Sequence, residues 1–358
     1  MVVTTRTRRA SVAEPPERPG RRGSLRRRRD SLAALGMTAP AVVLLTLFVA
    51  VPVVLAFVLG FTNARLVSPE PARFVGTENF SRLLDVDVLE LPEGAQVRDY
   101  TRRGSGHPEY EGKSVLFTVD EDTVVLAGDP TFWKSLRNTF LLALVIVPVQ
   151  GGLGLLLAML VNQRLPGIRI FRTVYFMPVV TSMVVVSILW RFMYQEQGLI
   201  NSMLGTLTFG AWDAVNWLGD PGTALPAIMV MSVWQGVGFH MVIWLAGLQT
   251  IPPSLYEAAL MDGATAWQRF RYVTWPGLRP TLVFVLVTIT LAALGLFVQI
   301  DVMTQGGPLD ATTTVVYHAV RKGFREQQIG YGAAISLVFF VLVLTVSLIQ
   351  RRLTRERA

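Results

Sequence analysis

The chain has 358 residues, of which 51% are hydrophobic and only 16% are charged, and its formal net charge is +8. A soluble domain carries about 25% charged residues, and the apolar residues here fall in long runs, so the composition indicates a multi-span membrane protein. The chain has no cysteine and only three histidines, which excludes disulfides and thiolate chemistry and argues against a bound metal ion.

The N-terminal region, residues 1–36, holds a large share of the positive charge. Arginines cluster at 6–9, 18–22 and 26–29, directly before the first apolar run. This pattern is typical of a disordered cytoplasmic anchor that contacts anionic lipid. Nucleic-acid binding and a cleaved signal peptide are the alternatives. We expect no nucleic-acid partner, and the apolar run is longer than a signal peptide's apolar core, so it is predicted to be a retained first span.

Six apolar runs are long enough to cross a bilayer of roughly 30 Å, which takes about 20 helical residues. Lysine and arginine in the short connections predict that both termini face the cytoplasm. One connection disagrees, because Arg321, Lys322 and Arg325 fall on the outer side. The fold class is therefore an all-α polytopic membrane protein. Its predicted spans are 37–61, 136–161, 174–194, 225–248, 281–300 and 332–349, with the last five in a core of residues 134–350 and a cytoplasmic tail at 351–358.

The outer connection between the first two spans, residues 62–133, is long and polar. Within it, residues 114–127 contain two β-prone runs around an acidic turn. We predict a small β-rich extracytoplasmic insert here. The alternative is a loop without regular structure, which is uncommon at this length.

The predicted spans have no Asp, Glu or Lys near their centres. A carrier driven by protons or sodium needs such groups near the midplane of the bilayer, so the energy for uphill transport is expected to come from a partner. The polar candidates are Gln150, Gln235, His240 and Gln299. This set suits recognition of a neutral polar solute.

The connection between the fourth and fifth spans, residues 250–280, is predicted to form a helix-turn-helix on the cytoplasmic face. Ser254 and Glu257 have the spacing of a capping box and follow a proline pair. Gly263 suits the left-handed position that ends a helix. The residues predicted to frame the second helix are Thr265 and Gln268, which form a second capping box, and Pro276, which is predicted to end it.

This connection resembles the EAA loop of the permease subunits of ABC importers. The loop has the pattern Glu-Ala-Ala, three residues and Gly, followed later by a hydrophobic residue and Pro, although Trp275 here replaces the usual aliphatic residue. The resemblance implies that the loop docks on an ATP-hydrolysing subunit. The residues assigned to this coupling are Ser254, Glu257, Ala258, Ala259, Asp262, Gly263 and Pro276.

A second stretch, residues 301–336, is similar to the MalF-type permeases for sugars and polyols, and weaker similarity reaches back to about residue 133. The family's asparagines in the fifth span are replaced here by Ala293, Gly295 and Leu296, which leaves the solute open. Packing between helices is the alternative role for Phe239 and His240. The resemblance implies an extracytoplasmic motif at Gly306, Gly307 and Pro308 and a substrate pathway at Gln235, Gly236, Phe239, His240 and Gln299.

We therefore expect a non-catalytic subunit in the cytoplasmic membrane that forms half of an ATP-driven import pathway for a sugar, oligosaccharide or polyol. The chain lacks a phosphate-binding loop motif, so no cofactor is expected, and ATP and Mg²⁺ would bind a partner. The expected partners are a second permease subunit, an ABC ATPase dimer, an extracytoplasmic solute-binding protein, the solute and membrane lipid. A glycerol-phosphate importer and an ATP-independent channel or facilitator are the alternatives.

Overall fold

The described residues are mostly helical and contain one small sheet, which confirms the predicted all-α membrane architecture with a small β-rich insert. Of the predicted basic tail, residues 1–36, the structure describes only Ala34 and Gly36. Residues 356–358 of the predicted C-terminal tail lie outside the described residues. The computed structural model describes residue 34 and residues 36–92, 95–102, 104–120, 122–163 and 167–355.

The described residues divide into two compact units, one that ends at Ala56 and one that begins at Phe57. The first unit holds most of helix α1, Gly36–Gly60, whose 25 residues are enough to cross a membrane. Its described side chains are almost all apolar and exposed, as suits a helix surrounded by acyl chains. A π-helical turn, Thr46–Ala50, interrupts the α-helical pattern.

The insert after α1 is a compact element with its own small core. Its strands pair antiparallel in the order β1-β3-β2, so the last strand in sequence is central. The predicted acidic-turn hairpin is confirmed as β2 and β3, but the first strand was not predicted. Leu126 and Ala127 of the central strand are fully buried. The elements are α2 (Glu78–Leu84), β1 (Val86–Glu90), α3 (Val97–Thr101), β2 (Ser114–Thr118) and β3 (Thr123–Ala127).

The helical core follows the insert directly. By length and composition the described residues contain five helices able to span a membrane, or six if one bent pair counts as a single span. The helices are α4 (Pro130–Val161), α5 (Ile168–Val180), α6 (Met183–Met193), α7 (Leu199–Leu207), α8 (Pro221–Gln249), α9 (Pro253–Met261), α10 (Ala266–Arg269), α11 (Trp275–Gly277), α12 (Arg279–Leu294), α13 (Val298–Met303), α14 (Val315–Val320) and α15 (Ile329–Arg355).

Helices α4 and α8 form the centre of the core and run parallel. Gln150 contacts His240, and one residue further along α4 the carbonyl of Gly151 accepts a hydrogen bond from Trp244, so the contacts advance together along both helices. The loop before α8 and the insert before α4 therefore lie at one end of the core. The α8–α9 connection lies at the other end.

Two predicted spans are broken rather than continuous. The third, predicted at 174–194, consists of α5 and α6, which meet at an angle of 98°. Pro178 inside α5 has no N–H to donate, and Thr181 after it adopts an extended conformation, so the helix ends there. The fifth, predicted at 281–300, stops at Gly295 and resumes as α13.

The start of α4 is held by a buried polar network at the insert end of the core. Asp129 caps α4 by accepting a hydrogen bond from the Phe132 N–H at 3.0 Å. Its other carboxylate oxygen accepts hydrogen bonds from His318 Nε2 and from the Tyr331 hydroxyl, both at 2.8 Å. This network ties the insert boundary to α14 and α15, and the carboxylate is 6% exposed.

The three cations that disagreed with the predicted topology lie in a π-helical turn, Arg321–Arg325, at this same end. Each is paired with an acidic side chain: Arg321 with Asp310, Lys322 with Glu326, and Arg325 with Asp301. The orientation rule counts Lys and Arg and is not a net-charge rule, so these pairings do not remove the disagreement with the predicted topology.

The Asp129 network predicts a specific dependence of stability on pH. Burial alone would raise the pKa of Asp129, but the hydrogen bonds from His318 and Tyr331 and the imidazole charge outweigh burial and lower it to about 2. A lowered pKa means that the carboxylate stabilises the fold above its unfolded pKa of about 3.9. That stabilisation is lost as the pH falls toward 2.

We expect Asp129→Asn to lower the stability of the protein by about 2 kcal/mol at neutral pH, because it removes a buried charge-assisted hydrogen bond. The measurement is the thermal midpoint in detergent between pH 8 and pH 3. The difference from the unmodified protein should shrink as the pH falls below about 4. Asp122→Asn, at an exposed carboxylate of the insert, is the matched control. Equal midpoints for the unmodified protein and Asp129→Asn at pH 7 would refute the role of the network.

Candidate functional site

A cavity of about 430 Å³ lies where the two broken spans meet α4 and α8. Its volume is within the range of about 300–1,000 Å³ that is usual for small-molecule sites. Irregular backbone in a membrane protein is stable where it lines such a cavity. The cavity is lined by Ile146, Gln150, Val179, Met183, Ser232, Gln235, Gly236, Phe239, His240, Ile289, Ala292, Ala293, Gly295, Leu296, Phe297, Val298 and Gln299.

All five residues predicted for the substrate pathway line this one cavity. Gln235, Gly236, Phe239 and His240 come from two turns of α8, and Gln299 comes from α13 across the break. The structure thus brings together residues that are 64 positions apart in the chain. Their contact with a solute stays a prediction.

Gln150 and His240 form the polar centre of the cavity wall. The Gln150 side-chain nitrogen lies 2.7 Å from His240 Nδ1, and this Nδ1 also lies 3.0 Å from the carbonyl oxygen of Gly236. The other ring nitrogen, Nε2, is buried and has no hydrogen-bond partner among the described residues. The same is true of the Ser232 hydroxyl, which lies two turns before His240 on α8.

These two unpaired polar groups are candidates for contact with a ligand. His240 is 4% exposed and Ser232 is 7% exposed. A buried polar group without a partner costs about 1–3 kcal/mol, so native structures rarely keep one without a reason. A solute hydroxyl can both donate and accept a hydrogen bond and would satisfy either group.

The absence of a side chain at Gly236 lets α4 approach α8 closely. A Cβ atom at this position would overlap the side-chain amide of Gln150. Gly236 therefore leaves the space in which the Gln150 side chain reaches His240. This contact explains why a glycine occupies this position of the predicted pathway. The remaining wall is apolar, and the half-exposed ring of Phe239 offers a flat surface beside the polar groups.

The predicted extracytoplasmic motif forms a loop that is braced by threonine side chains. Gly306 has a φ of 84°, and a Cβ atom there would overlap Thr313. The hydroxyl of Thr313 donates to the Gly306 carbonyl at 3.0 Å. Next to it, the Thr314 hydroxyl donates to the carbonyl of Leu296 at 2.9 Å. Because Leu296 lines the cavity, this loop is bonded directly to the cavity wall.

The helix pair between α8 and α12 lies at the opposite end, and its first helix begins differently from the prediction. Helix α9 starts at Pro253 with Pro252 at the N-cap position, and no side chain caps it. The predicted capping box of Ser254 and Glu257 is therefore wrong. Proline at the first helical position already has the required φ and lacks an N–H that would need a partner, which places Ser254 inside the helix.

The end of α9 and the start of the second helix match the prediction. Gly263 has a φ of 75°, the left-handed conformation expected after a helix. Thr265 and Gln268 form the predicted box, with Gln268 N–H donating to the Thr265 hydroxyl at 3.3 Å and Thr265 N–H donating to Gln268 Oε1 at 2.7 Å.

Pro276 does not end the second helix, which corrects a further prediction. Helix α10 continues through a π-helical turn, Phe270–Thr274, into α11, which contains Pro276. The π-turn is closed by Trp275 N–H donating to the Phe270 carbonyl. This wider turn accommodates the proline, which has no N–H to donate.

The residues assigned to coupling lie mostly on an exposed surface. Glu257, Ala258, Asp262 and Gly263 are exposed, whereas Ala259 and Pro276 are half-buried. Helix α9 is fixed to the second helix through Tyr256, whose hydroxyl lies 3.0 Å from that of Thr274. Large apolar side chains around the acidic residue are also exposed, which is typical of a surface that a partner protein covers. They are Leu255, Leu260, Met261, Trp267 and Tyr272.

A family model described as "Binding-protein-dependent transport system inner membrane component" matches residues 150–357 of the chain. The chain belongs to this family. The predicted membership in the ABC importer permeases is therefore confirmed, and the match covers both the cavity and the exposed helix pair.

Named relatives agree with the family. The permease is 36% identical to the lactose transport system permease protein LacF of Rhizobium radiobacter over 69% of its own length and 85% of LacF. It is 38% identical to the trehalose/maltose transport system permease protein MalF of Thermococcus litoralis, over 63% of its length and 76% of that protein. The predicted similarity to MalF-type permeases is confirmed.

The fold also matches a solved structure. A crystal structure of a bacterial ABC transporter involved in the import of the acidic polysaccharide alginate superposes with a TM-score of 0.67 at 20% identity. The match covers 94% of the permease and 99% of that chain. It supports the fold, including the insert, and no finer conclusion.

Sequence reasoning missed Ser232 and Thr314. Ser232 lies three and four residues before Gln235 and Gly236, which were predicted to line the substrate pathway. Residues at this spacing share one face of a helix, so the spacing could have identified Ser232 as a further pathway residue. Thr314 belongs to a run of three threonines that was quoted only as part of a motif. Its contact with Leu296 depends on the loop conformation, which the sequence does not encode locally.

We expect Gly236→Ala to displace the Gln150 side chain and weaken its hydrogen bond to His240, at a cost of about 1 kcal/mol. The measurement is the imidazole ¹⁵N spectrum of histidine-labelled protein, in which three histidines give three sets of signals. The signals of His240, assigned with His240→Gln, should shift while those of His107 and His318 stay in place.

The matched control is Gly152→Ala on α4, because a Cβ atom there would meet nothing within 4 Å. It should leave all the histidine signals unchanged. An unaltered His240 spectrum in Gly236→Ala would mean that the glycine does not position Gln150.

Proposed function

We propose that this permease forms half of the translocation pathway of an ATP-driven importer for a neutral sugar, oligosaccharide or polyol. The observation that carries the proposal is the cavity, in which two buried and unpaired polar groups lie beside an aromatic ring and an otherwise apolar wall. The names of the lactose and trehalose/maltose relatives support the same solute class.

The chemistry of the cavity favours a neutral solute over an anion. None of the lining residues, all within the described part of the chain, is Lys, Arg, Asp or Glu. A phosphate group would have to be buried there without a cation, and the desolvation cost of an unpaired charge is large. The glycerol-phosphate alternative is therefore disfavoured.

Energy would reach the cavity from the exposed helix pair. Helix α8 is continuous from the cavity residues to Gln249, and His240 lies about 14 Å from this end at about 1.5 Å per residue. After a connection of three residues, 250–252, α9 begins, with Glu257 and its apolar neighbours exposed. In the proposed cycle, an ATPase dimer binds α9, and ATP binding closes the dimer and thereby moves α9. The spans then rock between inward-facing and outward-facing states.

The remaining partners complete the proposed assembly. A second permease subunit supplies the other half of the pathway, and an extracytoplasmic binding protein delivers the solute at the insert end of the core. Both termini face the cytoplasm in this arrangement, and ATP and Mg²⁺ bind the ATPase, so this chain itself has no catalytic role. The family description, which names a binding-protein-dependent system, supports the delivery step.

We expect Glu257→Lys to abolish uptake and solute-stimulated ATP hydrolysis while the amount of protein in the membrane is unchanged, because the side chain is exposed and its replacement does not disturb packing. The measurement is uptake and ATPase activity in vesicles that contain the complete importer. Glu196→Lys, the same charge change at an exposed site after α6, should behave like the unmodified protein.

Normal ATP-dependent uptake in Glu257→Lys would refute the coupling role of α9. Uptake by the purified chain without ATP or partners would instead favour the facilitator.

We expect Phe239→Ala to raise the KM for uptake about tenfold, since loss of a stacking surface costs roughly 1–1.5 kcal/mol. The measurement is the concentration dependence of sugar uptake, together with the yield of assembled importer. Phe284→Ala is the matched control, because this exposed phenylalanine on α12 does not line the cavity. If the yield falls and KM does not change, Phe239 is a packing residue.

A further inference from the structure

Helix α7 is a short helix in the connection between α6 and α8. It spans Leu199–Leu207, nine residues, and so extends about 14 Å, too little to cross a bilayer of roughly 30 Å. It lies between the end of one spanning segment and the start of the next, which places it at a membrane boundary. By the parallel course of α4 and α8, this is the insert end of the core.

The position of α7 is fixed by one buried side chain, Asn201. Its amide nitrogen donates hydrogen bonds to the carbonyls of Gln195, Glu196 and Val215, at 3.3, 3.1 and 2.9 Å. Its amide oxygen accepts from the indole N–H groups of two stacked tryptophans, both at 3.1 Å. They are Trp212 and Trp217. Asn201 is 5% exposed, so the helix is anchored to its own connection and cannot rotate freely.

Around its axis α7 has three different sectors. The first packs on the protein and contains Asn201 together with the half-buried Ile200 and Leu204. The second is apolar but exposed. The third is exposed and polar, with hydroxyls bonded back to carbonyls of the preceding turn. The apolar sector consists of Leu199, Met203 and Leu207, which are 54%, 53% and 69% exposed, and the polar sector of Ser202 and Thr206.

The helix and the residues next to it carry no charged side chain, as suits a helix with an exposed apolar sector. Residues 197–212 contain no Asp, Glu, Lys or Arg, and the first charged residues on either side are Glu196 and Asp213. Phe209, just after the helix, is 99% exposed. The spanning segment before this connection also has an exposed apolar surface, at Ile188, Leu189 and Phe192 of α6.

We propose that α7 is an interfacial helix that binds the lipid of the leaflet at the insert end of the core. Its apolar sector enters the boundary between headgroups and acyl chains, its polar sector faces water, and its buried sector holds the end of the broken span at this depth. A helix that is apolar on one side and polar on the other, and lies along the membrane surface, is stabilised by burial of that apolar area. Tryptophans next to it occupy the region that they favour in membrane proteins.

A lipid occupant explains the observations better than a protein partner does. A partner surface would cover the polar and apolar sectors according to its own shape, whereas a membrane surface divides the helix along a line parallel to its axis. The exposed residues of α7 are divided in this way, with Leu199, Met203 and Leu207 on one side of the line and both hydroxyl side chains on the other. This surface is independent of the solute and of the coupling mechanism proposed above.

The test uses the fact that the chain has no cysteine. Nitroxide labels are placed singly at Met203→Cys and Leu207→Cys and, as matched controls on the same helix, at Ser202→Cys and Thr206→Cys. The complete importer is reconstituted in bilayers of phosphatidylethanolamine and phosphatidylglycerol. Collision rates of each label with oxygen, which concentrates in lipid, and with a water-soluble nickel chelate are measured by electron paramagnetic resonance.

We expect the labels at 203 and 207 to collide mainly with oxygen and those at 202 and 206 mainly with the nickel chelate, with several-fold differences between the two pairs. Nickel access at all four positions would place the helix in water and overturn the proposal. Low access to both reagents at 203 and 207, with immobilised spectra, would overturn it in favour of a protein contact. Uptake by each labelled importer, close to that of the unlabelled one, shows that folding is retained.

Discussion

A bilayer holds no water to pair with a free backbone N–H or C=O, so non-helical backbone at membrane depth is stable only where protein or a cavity surrounds it. The permease interrupts two spans, between α5 and α6 and between α12 and α13, and both interruptions border one cavity. Most other features of the site depend on this arrangement. The breaks open the space, and its polar side chains come from the intact helices α4 and α8 and, at Gln299, from α13 beyond one break.

Close contact between α4 and α8 makes one side of this cavity rigid. Helices in lipid gain little from the hydrophobic effect against each other, so they associate through tight packing at small residues and through hydrogen bonds. Here Gly154 packs against Trp244 and His240, and Trp244 Nε1 donates to the carbonyl of Gly151 at 3.0 Å. Gln150 and His240 therefore belong both to the packing contact and to the cavity wall.

The sequence was sufficient for features that depend on composition and local pattern. Six long apolar runs, the hairpin around its acidic turn, the left-handed Gly263 and the box of Thr265 and Gln268 all follow from local rules. It was insufficient where two local rules compete. Proline prefers the first helical position, so α9 begins at Pro253 and Ser254 lies inside the helix instead of capping it. At Pro276 the helix was expected to end, but the preceding π-turn lets it continue through the proline.

The broken spans show a different limit of local rules. Their hydropathy is that of continuous helices, because the few residues at each break, such as Thr181 and Ser182, are flanked on both sides by long apolar runs. Pro178 gives a signal for one break, but a proline such as Pro148 in α4 leaves a spanning helix continuous. Whether a proline breaks a helix depends on what surrounds it. The carbonyl of Tyr175 lies against Gly238 of α8, where a Cβ atom would overlap it, so the course of α5 is set by this contact between distant residues.

The two ends of the permease are attached to different walls of the cavity. At one end, Gly277 lets α11 pack directly on Ile251, which joins the exposed helix pair to the end of α8 and thus to Gln235 and His240. At the other end, Thr314 bonds the braced loop to Leu296 at the break. A displacement of the helix pair therefore acts on the α8 wall, and a displacement of the loop acts on the wall formed by the broken span. In the proposed cycle, a solute held between these walls would contact both, so its affinity would depend on their separation, which either end of the molecule would be able to change.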